Sequence, residues 1–441
     1  MVPALIIGAP ATGSGKTTLT IALLRAFKRR GAAVKPAKIG PDYIDPQFHA
    51  RASGQTSVNL DAWAMRPELL RSLANGLTRD ADLAIIEGVM GVFDGGQRPG
   101  RTGIGATADV ARLLDVPVVL VVNCGGMAQS VGPLVHGFCT FDPSVRIGGV
   151  ILNNTSSDRQ RAMLRSALNP LDVPVIGALP RNAEISMPSR HLGLTQAEEQ
   201  TELDARIDAM ADLVEAHCDL DALRQLASPL PDAEPESSDV LRLAPFGQRV
   251  AIADDVAFRF AYPHVLEGWR RSGAELSFFS PLADETPAAD SDAVFLSGGY
   301  PELHAGRLAA ASAFHASMRD AANRGVKIYG ECGGYMTLGD AIIDVDGTAH
   351  RMLGLLKLET SFAARRLHLG YRHISLMPSA PLLAPDAPDA FYAHEFHYAS
   401  IVREEGDPLF RNVDTGDTCG LSAGSVCGSY MHLIDLAADA P

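Results

Sequence analysis

The 441-residue sequence contains no Cys-x-x-Cys pair, and its six cysteines (Cys124, Cys139, Cys218, Cys332, Cys419 and Cys427) are scattered. That spacing offers neither the framework of a disulfide-stapled fold nor the ligands of a structural zinc site, so most of these thiols are expected as buried small hydrophobes. Positive charge is also scarce: 38 Lys and Arg against 52 Asp and Glu leave a formal net charge of -14. Such a chain lacks the clustered cations that grip nucleic acid or anionic lipid, and small-molecule partners are expected instead. No uninterrupted apolar stretch approaches the roughly 18 residues that a membrane span needs. The run Ala4 to Ile7 follows no basic segment and is too short for a secretory signal, which makes the cytoplasm the expected location. Internal repeats and low-complexity tracts are not evident, and the 41 Gly and 28 Pro serve as turn residues.

What is present is enough chain for more than one core, since single cores stop growing near about 250 to 300 residues. Short β-type runs alternate with helical stretches: Ala4 to Ile7, Val34 to Lys38, Leu83 to Ile86, Val118 to Val122, Val150 to Leu152 and Val173 to Leu179. The alternation predicts βαβ units on a buried parallel sheet. A Pro-, Ser- and acid-rich stretch from Ser228 to Asp239 reads as an exposed linker. The expected division is therefore residues 1–227, a linker over 228–247, and residues 248–441. A second α/β series follows at Arg249 to Ala253, Glu275 to Phe279, Ala293 to Leu296 and Val326 to Tyr329, with a more irregular tail after it.

The first strand runs into A-P-A-T-G-S-G-K-T-T (Ala9 to Thr18), and a helix is expected over Thr17 to Arg30. Gly13, Ser14 and Gly15 would open backbone N–H groups to phosphates, Lys16 would reach the β and γ oxygens, Thr17 would ligate magnesium, and Thr18 is a further ATP-binding candidate. Pro10 stands where the usual phosphate loop has its first glycine. Glu87, at the carboxyl end of the third run in E-G-V-M-G-V-F-D-G, faces the expected ligand crevice, whereas Asp94 reads equally as a turn residue. In K-I-G-P-D-Y-I-D-P-Q-F-H (Lys38 to His49), Asp42, Tyr43 and Asp45 are candidates for metal and substrate, in a proline-flanked loop expected to be non-helical.

Cys332 lies in K-I-Y-G-E-C-G-G-Y-M, a strand, a glycine-flanked corner and a helix. Small neighbours such as Gly333 let a thiol project from a tight elbow while backbone N–H groups remain open to an oxyanion, and the helix start is expected to lower the thiol pKa. Gly298 and Gly299 in L-S-G-G-Y-P-E are further oxyanion candidates. A proton acceptor is offered by His432 in G-S-Y-M-H and by the histidines of H-E-F-H-Y (His394 to Tyr398).

Together with P-x-R-H-L-G-L (Pro188 to Leu194), these motifs resemble the cobyrinate or hydrogenobyrinate a,c-diamide synthases of cobalamin biosynthesis, from the first residues to about His432. The resemblance implies an α/β chain: a dethiobiotin-synthetase-like P-loop domain with a parallel sheet, followed by a class I glutaminase domain. ATP, L-glutamine and Mg2+ would be used to amidate the a and c acetates of a corrin, the cobalt-free hydrogenobyrinate being favoured. By matching position, Cys332 is the nucleophile and His432 its base. Lys16 is the phosphate ligand, Thr17, Asp45 and Glu87 hold the metal, Asp42, Tyr43 and Asp94 orient the substrate carboxylate, and Asn153 meets adenine or caps a turn. The family's common glutamate two residues after the histidine is replaced by Ile434, which implies either a Cys–His dyad or a different orienting carboxylate; Glu395 is one candidate and equally reads as holding a structural hydrogen bond. V-N-C-G-G-M-A (Val122 to Ala128) lacks the aspartate often found after that strand. The alternatives are cobyric acid synthase and, from another class, a partitioning-type P-loop switch ATPase; a homodimer is left open.

Overall fold

The computed structural model describes residues 2–181, 189–190, 193–194, 202–230, 240–383 and 387–437. The chain forms two compact units, Met1–Val240 and Leu241–Pro441. In the first, the strands are β1 (Pro3–Gly8), β2 (Val34–Ile39), β3 (Val58–Leu60), β4 (Leu83–Glu87), β5 (Val118–Asn123), β6 (Ile147–Thr155) and β7 (Val175–Pro180). They lie in the order β3-β2-β4-β1-β5-β6-β7, and the pairings along that series are parallel. A parallel sheet covered on both faces needs apolar side chains on both, which is why Ala4, Leu5, Ile6 and Ile7 are all 0% exposed.

A short ribbon pairs β8 (Ser189–Arg190) with β9 (Gly193–Leu194). The rest of the Pro188 to Leu194 motif lies outside the described residues. The expected linker is engaged at both ends. β10 (Ser228–Pro229) pairs antiparallel with the start of β1, and Leu243 and Phe246 are buried in the core of the second unit; residues 231–239 lie outside the described residues.

Helix α1 (Lys16–Arg29) starts directly from the glycine loop and ends on the basic pair Lys28 and Arg29, which suits the negative C-terminal end of the helix dipole. Helix α2 (Asp45–Ser53) corrects the expectation of a wholly non-helical loop. Asp45 opens the helix with Pro46 in its first turn, where the missing N–H would have had no intrahelical partner. Asp42 stays in the preceding loop and accepts the amides of Ile44 and Asp45 at 2.7 and 3.2 Å.

The second unit contains β11 (Arg249–Ala253), β12 (Glu275–Phe279), β13 (Ala293–Leu296), β14 (Lys327–Glu331), β15 (Ala341–Ile343), β16 (Ala349–Arg351), β17 (Lys357–Ser361), β18 (His368–Leu376), β19 (Ala390–His397), β20 (Ser400–Glu405), β21 (Asp407–Asn412), β22 (Thr418–Ala423), β23 (Val426–Ser429) and β24 (Met431–Leu436). The main sheet runs β12-β11-β13-β14-β23-β22-β21-β18-β19-β24, and β16-β15-β17-β20 form a smaller one. Pairings from β12 through β23 are parallel, and those beyond are antiparallel.

Side-chain alternation splits the core between the two faces of the parallel part. Val250, Ile252, Phe295 and Tyr329 pack on one side, and Ala251, Ala253, Val294, Leu296 and Ile328 on the other. The tail expected to be irregular is largely antiparallel strand. In β19, Phe391 and Ala393 are fully buried while Tyr392 is only partly so, a half-buried alternation interrupted by histidines.

Candidate active site

In the first unit the phosphate loop is shaped by Gly13 (φ 81°) and Gly15 (φ 97°), both in the left-handed region. The Ser14 hydroxyl donates to the Ala11 carbonyl at 2.8 Å, and the Asn153 amide, reaching from β6, donates to the Ser14 carbonyl at 2.9 Å. A Cβ on Gly15 would stand 2.2 Å from Asn153 Nδ2 and would be strained at this positive φ, so a side chain here would displace the Asn153 amide. Asn153 thus buttresses the loop from behind. Thr18 is half-buried in the first turn of α1. Lys16 donates to the Met90 carbonyl at 2.5 Å, and burial lowers its pKa against the pull of Glu87.

Three elements then converge on one cation. Lys38, at the end of β2, donates to Asp45 Oδ2 at 2.6 Å and to Glu87 Oε1 at 2.8 Å. The Thr17 hydroxyl meets the same Glu87 oxygen at 2.6 Å and Asp45 Oδ2 at 3.3 Å. His49 Nε2 lies 2.6 Å from the second oxygen of Glu87. Lys38, His49 and Glu87 are 5%, 0% and 0% exposed, so the Lys38 and Glu87 charges are compensated by partners within the cluster and not by water. Burial opposes the charge on Lys38, but Asp45 and Glu87 outweigh it and raise its pKa. Burial also works against the Glu87 carboxylate, and Lys38 and His49 overcome it and lower its pKa.

Asp42, whose carboxyl faces Asp45 and Lys38, is pushed up to about 7 by burial and by the Asp45 charge. Thr17, Asp45 and Glu87 are therefore brought together as expected, whereas Asp94 accepts the Gly91 amide at 2.8 Å and closes a turn. Tyr43 is half-buried in the loop between Asp42 and Asp45.

Lys38 and His49 were not singled out by sequence reasoning, although they bound a motif that was. The available signal was a lysine in a strand whose other inward positions are apolar; the Lys38 and Glu87 backbones are register partners across β2 and β4. The Thr17, Asp45 and Glu87 oxygens are hard donors already gathered around an ammonium ion, so this donor set fits a magnesium ion.

In the second unit, Cys332 follows β14 with φ 46° and ψ -99°, a strained conformation for a non-glycine residue. The elbow is pinned by the Cys332 amide, which donates to the Ser429 carbonyl at 2.8 Å, and it leads into the helix Gly333–Leu338. Pairing of β14 with β23 is what brings this corner beside Tyr430, Met431 and His432. His432 and Cys332 are 1% and 4% exposed.

A Cβ on Gly298 would stand 2.4 Å from His432 Cε1, and a Cβ on Gly333 would stand 3.0 Å from the Gly299 nitrogen. The two glycine segments named as oxyanion candidates therefore meet at the Cys332 corner and the His432 imidazole. The expectation of a lowered thiol pKa is corrected. Burial pushes the Cys332 thiol up, the Glu302, Glu331 and Glu395 carboxylates add to it, and a bond from the Gly333 amide offsets only part.

The carboxylate beside His432 also differs from expectation. Glu331 Oε2 lies 3.4 Å from His432 Nδ1, and its other oxygen accepts the Leu433 amide at 3.2 Å. Glu395 is instead engaged by Arg372 at 2.5 Å and by His397 at 3.2 Å. Sequence spacing pointed away from Glu331 because it precedes the nucleophile, and only the β14 elbow turns it toward β24. Its signal was an acid at the end of a strand whose Ile328, Tyr329 and Gly330 are buried.

A parallel sheet with a glycine-rich phosphate loop in one unit, and in the other a strained cysteine elbow with a buried histidine on the strand after its partner, define a P-loop nucleotide-binding protein fused to a glutamine amidotransferase. Residues 5–194 match the family model of the CobQ/CobB/MinD/ParA nucleotide binding domain, and residues 249–440 match that of the CobB/CobQ-like glutamine amidotransferase domain. Hydrogenobyrinate a,c-diamide synthase of Brucella anthropi is 54% identical over 98% of this chain and 99% of its own. The Brucella abortus enzyme of that name is 55% identical over 99% of each chain, and the Rhodobacter capsulatus one 49% over 98% of each. The chain belongs to the family of hydrogenobyrinate a,c-diamide synthases, and the resemblance read from its motifs is borne out. Among the described residues no helix is long and apolar enough to cross a membrane.

Proposed function

We propose that this chain amidates the a and c acetate carboxylates of hydrogenobyrinate, using ammonia from glutamine and energy from ATP. The observation that carries the reading is the presence, in one chain, of the Cys332 elbow with its buried His432 and of the Thr17, Asp45, Glu87 and Lys38 cluster beside a phosphate loop. The choice of substrate is supported by the full-length identity to synthases named for it. A partitioning ATPase would leave the second unit without a role.

His432 takes the Cys332 proton, and the thiolate attacks the carboxamide carbon of glutamine. Negative charge on the former carbonyl oxygen is received by the amides around Gly299 and Gly333, a contribution commonly worth about 3 to 4 kcal/mol per donor. Collapse returns the proton from His432 to the leaving nitrogen and expels ammonia, and water then hydrolyses the γ-glutamyl thioester. A thiol whose pKa is raised by burial stays protonated until substrate arrives, which limits wasteful reactions with other electrophiles.

In the first unit the substrate acetate attacks the γ-phosphorus of ATP, ADP leaves, and ammonia displaces phosphate from the acyl phosphate. Activation is needed because a free carboxylate is a poor electrophile. Lys16 and the loop amides hold the phosphates, and Lys38 offsets the charge that accumulates there. Magnesium, held by Thr17, Asp45 and Glu87, would supply further neutralisation of the triphosphate. The reaction is placed in the cytoplasm, where ATP and glutamine are available.

The test incubates hydrogenobyrinate, and separately cobyrinate, with the protein, ATP, Mg2+ and amide-15N-glutamine, followed by mass spectrometry. Two labelled nitrogens on hydrogenobyrinate are expected. Glutamine hydrolysis with neither corrin modified would remove the corrin assignment and leave the glutaminase.

A further inference from the structure

We infer that His368, Glu395 and His397 form a binding site for one divalent transition-metal cation on the β18–β19 ribbon, a site separate from the oxygen-lined cluster at the phosphate loop. Each residue offers a ligand atom, and the three atoms lie within 4.8 Å of one another. The geometry follows from strand register. His368 is the cross-strand partner of His397, and Glu395, two residues before His397, projects from the same face. The two imidazoles stack with centroids 4.6 Å apart and planes 2° from parallel, which fixes the His368 ring beside the His397 ring.

A second observation points to a cation. His397 is 4% exposed and both of its ring nitrogens face acceptors: Nδ1 lies 3.1 Å from the Ala399 carbonyl and Nε2 lies 3.2 Å from Glu395 Oε1. A neutral imidazole has one N–H and satisfies only one of these. With Nδ1–H donated to Ala399, the Nε2 lone pair and a carboxylate oxygen are left pointing at each other, an arrangement that a metal ion between them relieves. Imidazoles that ligate metals are commonly oriented in this manner, by a carbonyl on the other nitrogen. Arg372 occupies only Glu395 Oε2, at 2.5 Å, which orients the carboxylate and leaves Oε1 to the ion.

Two imidazoles and one carboxylate suit zinc, cobalt(II) or nickel(II) and are a poor match for magnesium. Three protein ligands leave a position for water or another small ligand. The place of the site also gives it a consequence. The His397 ring lies face to face on the Tyr430 ring, with centroids 3.6 Å apart, and Tyr430 stands between Ser429, which anchors the Cys332 elbow, and the strand that carries His432. A bound ion ties the ribbon to the segment that positions the glutaminase histidine.

The test uses the full chain, stripped with a chelator and exchanged into buffer with saturating Mg2+ and ATP to occupy the phosphate-loop site, then titrated with Co2+. One equivalent with visible d–d absorption, displaced by Zn2+, is expected. His368→Gln and Glu395→Gln should each weaken binding by more than about tenfold while keeping the far-ultraviolet dichroism of the wild type. In the unmodified protein Zn2+ should protect His368 from carbethoxylation, a reading that needs no variant. Absence of saturable absorption in the wild type overturns the inference. So does a spectrum dominated by sulfur charge transfer and unchanged in both variants, which would place the ion on a cysteine.

Discussion

Glu331 stands with Oε2 3.4 Å from Nδ1 of His432, although the two residues are separated by 101 positions in the chain and Glu331 immediately precedes Cys332. The strained corner at Cys332 turns the thiol to one side of β14 while the preceding side chain stays on the other strand face, toward β24. In the proposed mechanism this carboxylate orients the imidazole from its Nδ1 side. Glu331→Gln removes the charge that stabilises the imidazolium, and glutamine-dependent turnover should fall roughly 10- to 1000-fold. Turnover with added ammonium salt should be unchanged. Equal loss in both assays would mean that Glu331 supports the fold and not the histidine.

Gly298 offers an independent probe of the same imidazole. A methyl group there meets His432 Cε1 at 2.4 Å and His432 Nε2 at 3.2 Å, so the ring must move. Gly298→Ala should lower glutaminase kcat by more than about tenfold, the usual cost of displacing a catalytic group by about an ångström. Ammonia-dependent amidation again serves as the control, and full glutaminase activity in the variant would contradict the placement of His432.

Lys38 compensates two carboxylates in a nearly dry site. Lys38→Met leaves Asp45 and Glu87 facing each other without a cation, a change that costs about 3 to 5 kcal/mol when a buried pair is broken. The variant should melt several degrees below wild type, and Mg2+ with ATP should restore more of its melting temperature than they add to wild type. A melting temperature that matches wild type without ligands would show that the cluster is hydrated.

Asp42 supplies a pH dependence whose sign is fixed by its raised pKa. Its folded-state value, pushed up to about 7 by burial and Asp45, lies above the ordinary carboxylate value, so the folded form binds the proton more tightly. The stabilisation is complete below about pH 4 and is lost as the pH rises through about 7. Asp42→Asn mimics the protonated carboxyl and keeps an acceptor for the Ile44 and Asp45 amides. The difference in melting temperature, variant minus wild type, should therefore grow as the pH is raised from about 5 to about 8. A flat difference over that range would refute the buried, proton-retaining state.

The phosphate loop, the two α/β series and the nucleophile corner were legible in the order of residues, because each rests on local chemistry. Glycines at Gly13 and Gly15 permit a left-handed turn, an apolar run such as Ala4 to Ile7 can be buried on both faces, and a small residue after Cys332 permits an elbow. Asp45 was identified as a site residue while its backbone was misjudged, since a proline in the first turn costs a helix nothing. What tertiary structure decided were the partnerships between distant groups. Lys38 and His49 meet Glu87 only because β2 pairs with β4, and Glu331 meets His432 only because β14 pairs with β23 and β24 returns beside it. The thiol pKa also belongs to this second category, because a helix start is written in the sequence but the burial and nearby carboxylates that outweigh it are set by packing. Local conformational preference depends on neighbours in the chain, whereas charge compensation in a low-dielectric interior depends on which strands become adjacent.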